Sequence, residues 1–169
     1  MSTVYASSLT ILAKLSDALD LPFETLANKA GIDISLLNTP EASLSTEKYF
    51  RLHKEIWQQT GNDDFGLLCG RIYYMENFHL FMSIASASNT FREWINQLPD
   101  MIPNLRELVK IEVKLKGEHL VLEFHFNSPS NLKRCLITDS LLASASMFMD
   151  GFCMLPVRPV RVDFTYPQP

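Results

Sequence analysis

Val109-Lys110-Ile111-Glu112-Val113-Lys114-Leu115-Lys116-Gly117-Glu118-His119-Leu120-Val121-Leu122-Glu123-Phe124-His125-Phe126 is the stretch on which the fold turns. Val109, Ile111, Val113 and Leu115 alternate with Lys110, Glu112, Lys114 and Lys116, the two-residue period of a strand with one wet face. After Gly117–Glu118 the period returns. Leu120, Leu122, Phe124 and Phe126 alternate with His119, Glu123 and His125, and Val121 is the single apolar residue on the polar side. Two alternating runs about a short turn containing glycine predict a β-hairpin.

Upstream of the hairpin the period is helical. Leu9, Leu12, Leu15 and Leu19 give one apolar face over Tyr5–Leu19. Pro22 opens a short second helix that Gly31 closes after Leu26 and Ala30. Ser45 is placed to cap a third helix running to Thr60, with Phe50, Ile56 and Trp57 toward its buried side and Gly61 as a left-handed cap. Asp63 and Asp64 favour a helix start ahead of a short segment, Phe65–Arg71. Thr90-Phe91-Arg92-Glu93 fits a capping box and starts a helix through Trp94, Ile95 and Leu98 that Pro99 or Pro103 disturbs.

Downstream, Asn127–Ser130 breaks the hairpin and Leu132–Met154 reads as a long apolar helix. Arg158–Tyr166 then alternates Val160, Val162, Phe164 and Tyr166 with Arg161, Asp163 and Thr165. This predicts a closing strand with Val160, Val162 and Phe164 on the core, paired to the hairpin, and with Arg161 and Asp163 in solvent. A helical run followed by strand–strand–helix–strand is an α+β fold with a small antiparallel sheet. Without a linker or an internal repeat, residues 1–169 read as a single domain.

The bulk numbers fit that picture. The chain has 169 residues, 47% hydrophobic and 20% charged, with 15 Lys+Arg against 19 Asp+Glu and a net charge of −4. Such a composition is that of a globular domain, and the negative charge leaves no excess cations for DNA phosphates. No apolar run approaches the ~20 residues of a membrane span. The richest stretches, Phe78–Ala87 and Leu141–Leu155, are short or carry Asp150 and serines. Lys14 and Asp17 interrupt the N-terminal apolar block, so no secretory signal is visible. Cys69, Cys135 and Cys153 are widely spaced and read as reduced thiols, consistent with a cytoplasmic protein.

Catalysis finds little support in these residues. No G-x-S-x-G elbow exists and the six glycines never cluster into a phosphate-cradling loop, so an enzyme is not expected. Cys153 sits in an apolar helix end that raises a thiol's pKa. His119 and His125 share a strand face, but at ~3.3 Å per residue they stand ~20 Å apart, too far for one ion. Glu123 and His125 could share a metal only if another element added donors. Neither a metal nor a cofactor is expected. His79 lies in the apolar run Phe78-His79-Leu80-Phe81-Met82, where a buried ring needs a hydrogen-bond partner or a ligand. The chain carries 7 Met and 11 Phe, and Met147, Phe148, Met149, Phe152 and Met154 crowd the end of the long helix. Such residues line adaptable pockets and equally fill cores. The candidate ligand-binding set is therefore Tyr73, Tyr74, Phe78, His79, Phe81, Met82, Trp94, Met147, Phe148 and Phe152, between the helical half and the sheet.

Several ordered motifs resemble a known family. Gly31-Ile32-Asp33, Leu37, Pro40 and Ser45-Thr46-Glu47-Lys48-Tyr49-Phe50-Arg51-Leu52-His53-Lys54 resemble the N-terminal domain of a branch of the AraC-type bacterial transcription regulators. Thr60-Gly61-Asn62-Asp63-Asp64-Phe65-Gly66-Leu67-Leu68-Cys69-Gly70-Arg71 is similar to that family's T-G-D-P-x-F-G-L-x-x-G. Pro156 through Phe164 and Tyr166-Pro167-Gln168-Pro169 resemble its closing strand and turn. Two departures stand out: His53 replaces the usual tryptophan after Arg51–Leu52, and the stretch Asn77–Trp94 is bulkier and more aromatic than the family pattern. The resemblance implies a non-enzymatic sensory domain. It would bind a small-molecule effector and act on DNA only through a C-terminal helix-turn-helix module not present in this chain; a homodimer is compatible with this, and the oligomeric state stays open. Two other readings are a ligand-free dimerisation or protein-interaction domain and a haem-type gas sensor using His79.

Overall fold

A computed structural model describes residues 3–101, 109–126, 131–153 and 158–164, without the side chains of 98–101, 126, 131–136 and 152. Expectations that rest on Pro103, Asn127–Ser130, the side chains of Cys135 and Phe152, Met154, Pro156, Thr165, Tyr166 and Pro167–Pro169 lie outside those described residues. Strand β1 (Thr3–Tyr5) leads into helix α1 (Ser8–Ala18) and α2 (Phe23–Lys29), then a 3-10 turn (Ile34–Asn38) and strand β2 (Ser43–Ser45). Helices α3 (Thr46–Thr60), α4 (Phe65–Ala87) and α5 (Phe91–Met101) follow. Strands β3 (Val109–Lys116) and β4 (His119–Phe126) come next, and then helix α6 (Asn131–Phe152). The described residues thus form a mostly helical α+β fold with two antiparallel two-stranded sheets.

Leu9, Leu12 and Leu15 form the buried stripe of α1, as their spacing predicts. Gly31 closes α2 at φ +74° and Gly61 closes α3 at φ +59°, left-handed positions where glycine carries no Cβ penalty. Ser45 stands at the α3 N-cap, yet its side chain makes no capping bond. The residue also ends β2, where it pairs with Thr3. That small sheet places Val4 opposite Leu44, both buried. The Thr90 box forms one residue out of step: the Glu93 amide donates to Thr90 Oγ1 at 3.1 Å, while the Glu93 carboxylate accepts from the Asn89 amide at 2.7 Å.

The helix expected over Phe65–Arg71 continues to Ala87, 23 residues in all. It packs against α1, α5 and α6, so no face of it is left uniformly polar and no period marks it in the sequence. Its closest neighbour is α6. A Cβ added at Gly70 would lie 2.5 Å from the Ser140 carbonyl oxygen and 2.7 Å from Ala143 Cβ, so the two backbones touch there only because residue 70 has no side chain.

The hairpin forms in the expected register: Val109 opposite Phe126, Ile111 opposite Phe124, Val113 opposite Leu122 and Leu115 opposite Leu120, with Gly117 at φ +62° in the turn. Val109 and Ile111 are buried beside α5, Val113, Leu120, Leu122 and Phe124 pack half-buried against the core, and Leu115 near the turn is exposed.

The closing strand is a correction. Residues 158–164 take no strand conformation, and Val160, Val162 and Phe164 are 87%, 46% and 47% exposed rather than facing the core. Alternation gives a strand only where a sheet edge receives it. Here Pro159 lacks an amide donor, and Arg161 instead turns to Asp163 two residues on, Nε to Oδ1 at 2.8 Å.

Candidate functional site

Two regions flank α4. On the side of the hairpin and α6, aromatic rings fill the space. Phe81 stacks on Phe148 with centroids 3.6 Å apart, Tyr74 lies 4.6 Å from Phe148 and 5.7 Å from Phe78, and Phe81 approaches Trp94 at 6.4 Å. The space left among Tyr73, Phe81, Trp94, Phe148 and the hairpin residues Ile111, Leu122 and Phe124 is ≈ 30 Å³. That volume is about one water's share of the liquid, too little for an organic molecule.

The larger cavity lies on the other side, among α1, α3, α4 and α6, and has a volume of ≈ 280 Å³. Its inner end is built from Leu12, Tyr49, His53, Cys69, Ile137 and Leu141, all buried. Ser7, Thr10, Asn77, Ser140 and Glu76 form the more exposed rim. Lys14 on α1 reaches Glu76 on α4 at 2.5 Å.

Local structure explains the inner end. Tyr49, Leu52, His53 and Ile56 recur at three- and four-residue steps, so the buried stripe of α3 carries a phenol and an imidazole among its aliphatics. The His53 ring lies 4.7 Å from that of Tyr49 and meets Phe65 edge-on at 6.4 Å. Nδ1 of His53 is buried with no hydrogen-bond partner. Burial also shifts these groups further toward their neutral forms. It lowers the His53 pKa to about 4, raises the Cys69 thiol to about 12, and drives the Tyr49 and Tyr73 phenols well above their ordinary value. The described inner end mixes aliphatic side chains with uncharged polar ones.

The residues singled out from sequence divide between these regions. Phe81, Trp94 and Phe148 are buried in the aromatic cluster, with Tyr74 and Phe78 half-buried at its margin. Tyr73 borders both the cluster's void and the larger cavity. His79 and Met82 are exposed on the outer side of α4, and Met147 is half-buried on α6. The expectation that His79 is a buried ring in need of a partner is thereby corrected: an apolar neighbourhood in sequence is not one in space when the helix turns a face to water. Ser7, Thr10, Tyr49, His53, Glu76, Asn77 and Ser140 were not singled out as binding residues. The usable signal was a histidine on the apolar stripe of α3.

A third grouping lies on the wet face of the hairpin. Glu112 from β3 supplies the donor that Glu123 and His125 lacked, and His125 Nε2 is 3.8 Å from Glu112 and 3.7 Å from Glu123. Lysines already hold these carboxylates: Lys114 bridges both at 2.7 and 2.6 Å, with Lys110 on Glu112 at 2.6 Å and Lys116 on Glu123 at 2.9 Å. Those contacts draw both carboxyl pKa values down to about 2, through hydrogen bonds to the lysines first. The arrangement is a solvent-facing ion-pair ladder.

A partly open cavity between helices, with a few polar groups among apolar ones, has the general make-up of a small-molecule pocket. The sequence profile of the N-terminal arabinose-binding domain of AraC transcription regulators matches residues 21–169, and the chain belongs to that family. Comparison with curated proteins and with solved structures gives no match. No helix among the described residues is long and apolar enough to cross a membrane.

Proposed function

We propose that this chain is a non-enzymatic, cytoplasmic sensory domain that holds a small effector in the α1–α3–α4–α6 cavity and thereby biases an attached helix-turn-helix module. The carrying observation is the cavity of ≈ 280 Å³, with hydrogen-bonding groups at its inner end and rim, in a member of the arabinose-binding family. That volume is close to the lower end of the ~300–1,000 Å³ typical of ligand sites. Because α1, α3, α4 and α6 all contribute, a ligand that prefers one packing of these helices shifts the population toward it by its differential affinity. Native mass spectrometry tests the reading, first on the chain as purified from cells and then with added L-arabinose as a probe suggested by the family. The expected result is a one-to-one small-molecule adduct; no adduct under either condition overturns it.

A homodimerisation role has one observation in its favour. Arg71, Met75, His79, Met82 and Ser86 share one exposed stripe of α4, and Met75 is 69% exposed. The same mass spectra report whether a dimer is present.

A further inference from the structure

If the helical cavity is the effector site, His53 is its least economical residue. It is 8% exposed, it lines the inner end, and its Nδ1 has no hydrogen-bond partner. A leucine or phenylalanine would occupy the same position on the apolar stripe without leaving a buried nitrogen unpaired. Native interiors rarely leave such an atom unsatisfied without a reason. Tyr49, Cys69 and Tyr73 line the same cavity, neutral groups whose pKa values burial raises further. Among the described side chains lining the cavity, the formally charged one is Glu76, at the rim and already paired with Lys14. The described inner end therefore offers hydrogen bonds and no counter-charge.

We propose that His53 is the specificity-determining residue of this cavity: its imidazole hydrogen-bonds an uncharged hydroxyl, carbonyl or amide group at the inner end of the effector, and the surrounding floor turns away a carboxylate, phosphate or ammonium group. A neutral imidazole carries one donor and one acceptor nitrogen, so it can serve a hydroxyl, a carbonyl or an amide group. A charged group entering here would shed its hydration, and no described side chain at the inner end carries an opposite charge to replace it. The proposal rests on the effector-site reading above and narrows it to a chemical class.

The test follows the His53 ring nitrogens and the Tyr73 and Asn77 resonances by NMR as matched probes are titrated at neutral pH. One triplet is propane-1,2-diol, lactate and 1-aminopropan-2-ol; the other is cyclohexylmethanol, cyclohexanecarboxylate and cyclohexylmethylammonium. The uncharged member of a triplet should shift the His53 ring and bind at least about tenfold more tightly than its charged counterparts. His53→Gln should keep that preference and His53→Phe should lose it. If His53→Phe does not fold, the wild-type and His53→Gln titrations decide. Equal binding of charged and uncharged members, or shifts at Tyr73 and Asn77 without one at His53, overturns the proposal and leaves the cavity a ligand site. Absence of any shift at all three residues overturns the effector-site reading itself, and the proposal with it.

Discussion

Toward α6 and the hairpin, α4 presents Tyr74 and Phe81, whose rings close on Phe148 and leave ≈ 30 Å³. Toward α1 and α3 the same helix presents Cys69, Tyr73, Glu76 and Asn77 around ≈ 280 Å³. One element thus borders a filled region and an unfilled one, and what separates them is polarity. Where only shape matters, aromatic rings interdigitate until no useful volume is left. Where hydroxyls, an imidazole and an amide line the wall, space is retained for a partner that can satisfy them.

The filled side should answer mainly in stability. Phe81 is 2% exposed, so Phe81→Ala should cost ~3–5 kcal/mol in urea unfolding, through lost burial and the cavity left behind. Phe164, 47% exposed, gives the contrast: its alanine variant should change stability by about 0.5 kcal/mol or less. A Phe81→Ala protein of parental stability that has lost its effector would move the binding site to the aromatic side.

The unfilled side should answer in pH. Burial lowers the His53 pKa from 6.5 to about 4, so the folded state disfavours the imidazolium. The stability this contributes is fully present above pH 6.5 and is lost as pH falls from 6.5 toward 4, by roughly 3 kcal/mol. The hairpin ladder titrates lower: Glu112 and Glu123, held at about 2, lose their contribution only as pH drops below their ordinary 4.5. Urea unfolding between pH 4 and 8 should show the upper phase in the parent and not in His53→Gln. A flat profile in the parent over that range would place the imidazole in water.

How much of this was legible depended on how many sides of an element are covered. The hairpin was readable to the residue because one face is wet and the other, at its base, is buried. The helix α4, covered by α1, α5 and α6, carries no period, and its extension from Ile72 to Ala87 was missed. Strands β1 and β2 are three residues each, too short to alternate visibly, and Tyr5 was instead read into the first helix. The closing strand failed in the opposite way: Val160, Val162 and Phe164 alternate, but no described strand receives them. The pocket search favoured bulky apolar residues, which locate packing well. The cavity's polar residues are spread over four helices; of them Tyr73 stood in the candidate set, and His53 stood out only as a departure from the family motif.

The most direct test is to fill the cavity without touching the aromatic cluster. Thr10, half-buried on α1, lines the cavity's wall, and Thr10→Trp would place an indole in the space an effector needs. Native mass spectrometry of this variant, beside Phe81→Ala and the parent, reads occupancy directly. The account predicts that Thr10→Trp stays folded and loses the adduct, while the Phe81→Ala protein that remains folded keeps it. An adduct retained at parental occupancy in folded Thr10→Trp, and lost in folded Phe81→Ala, would contradict it.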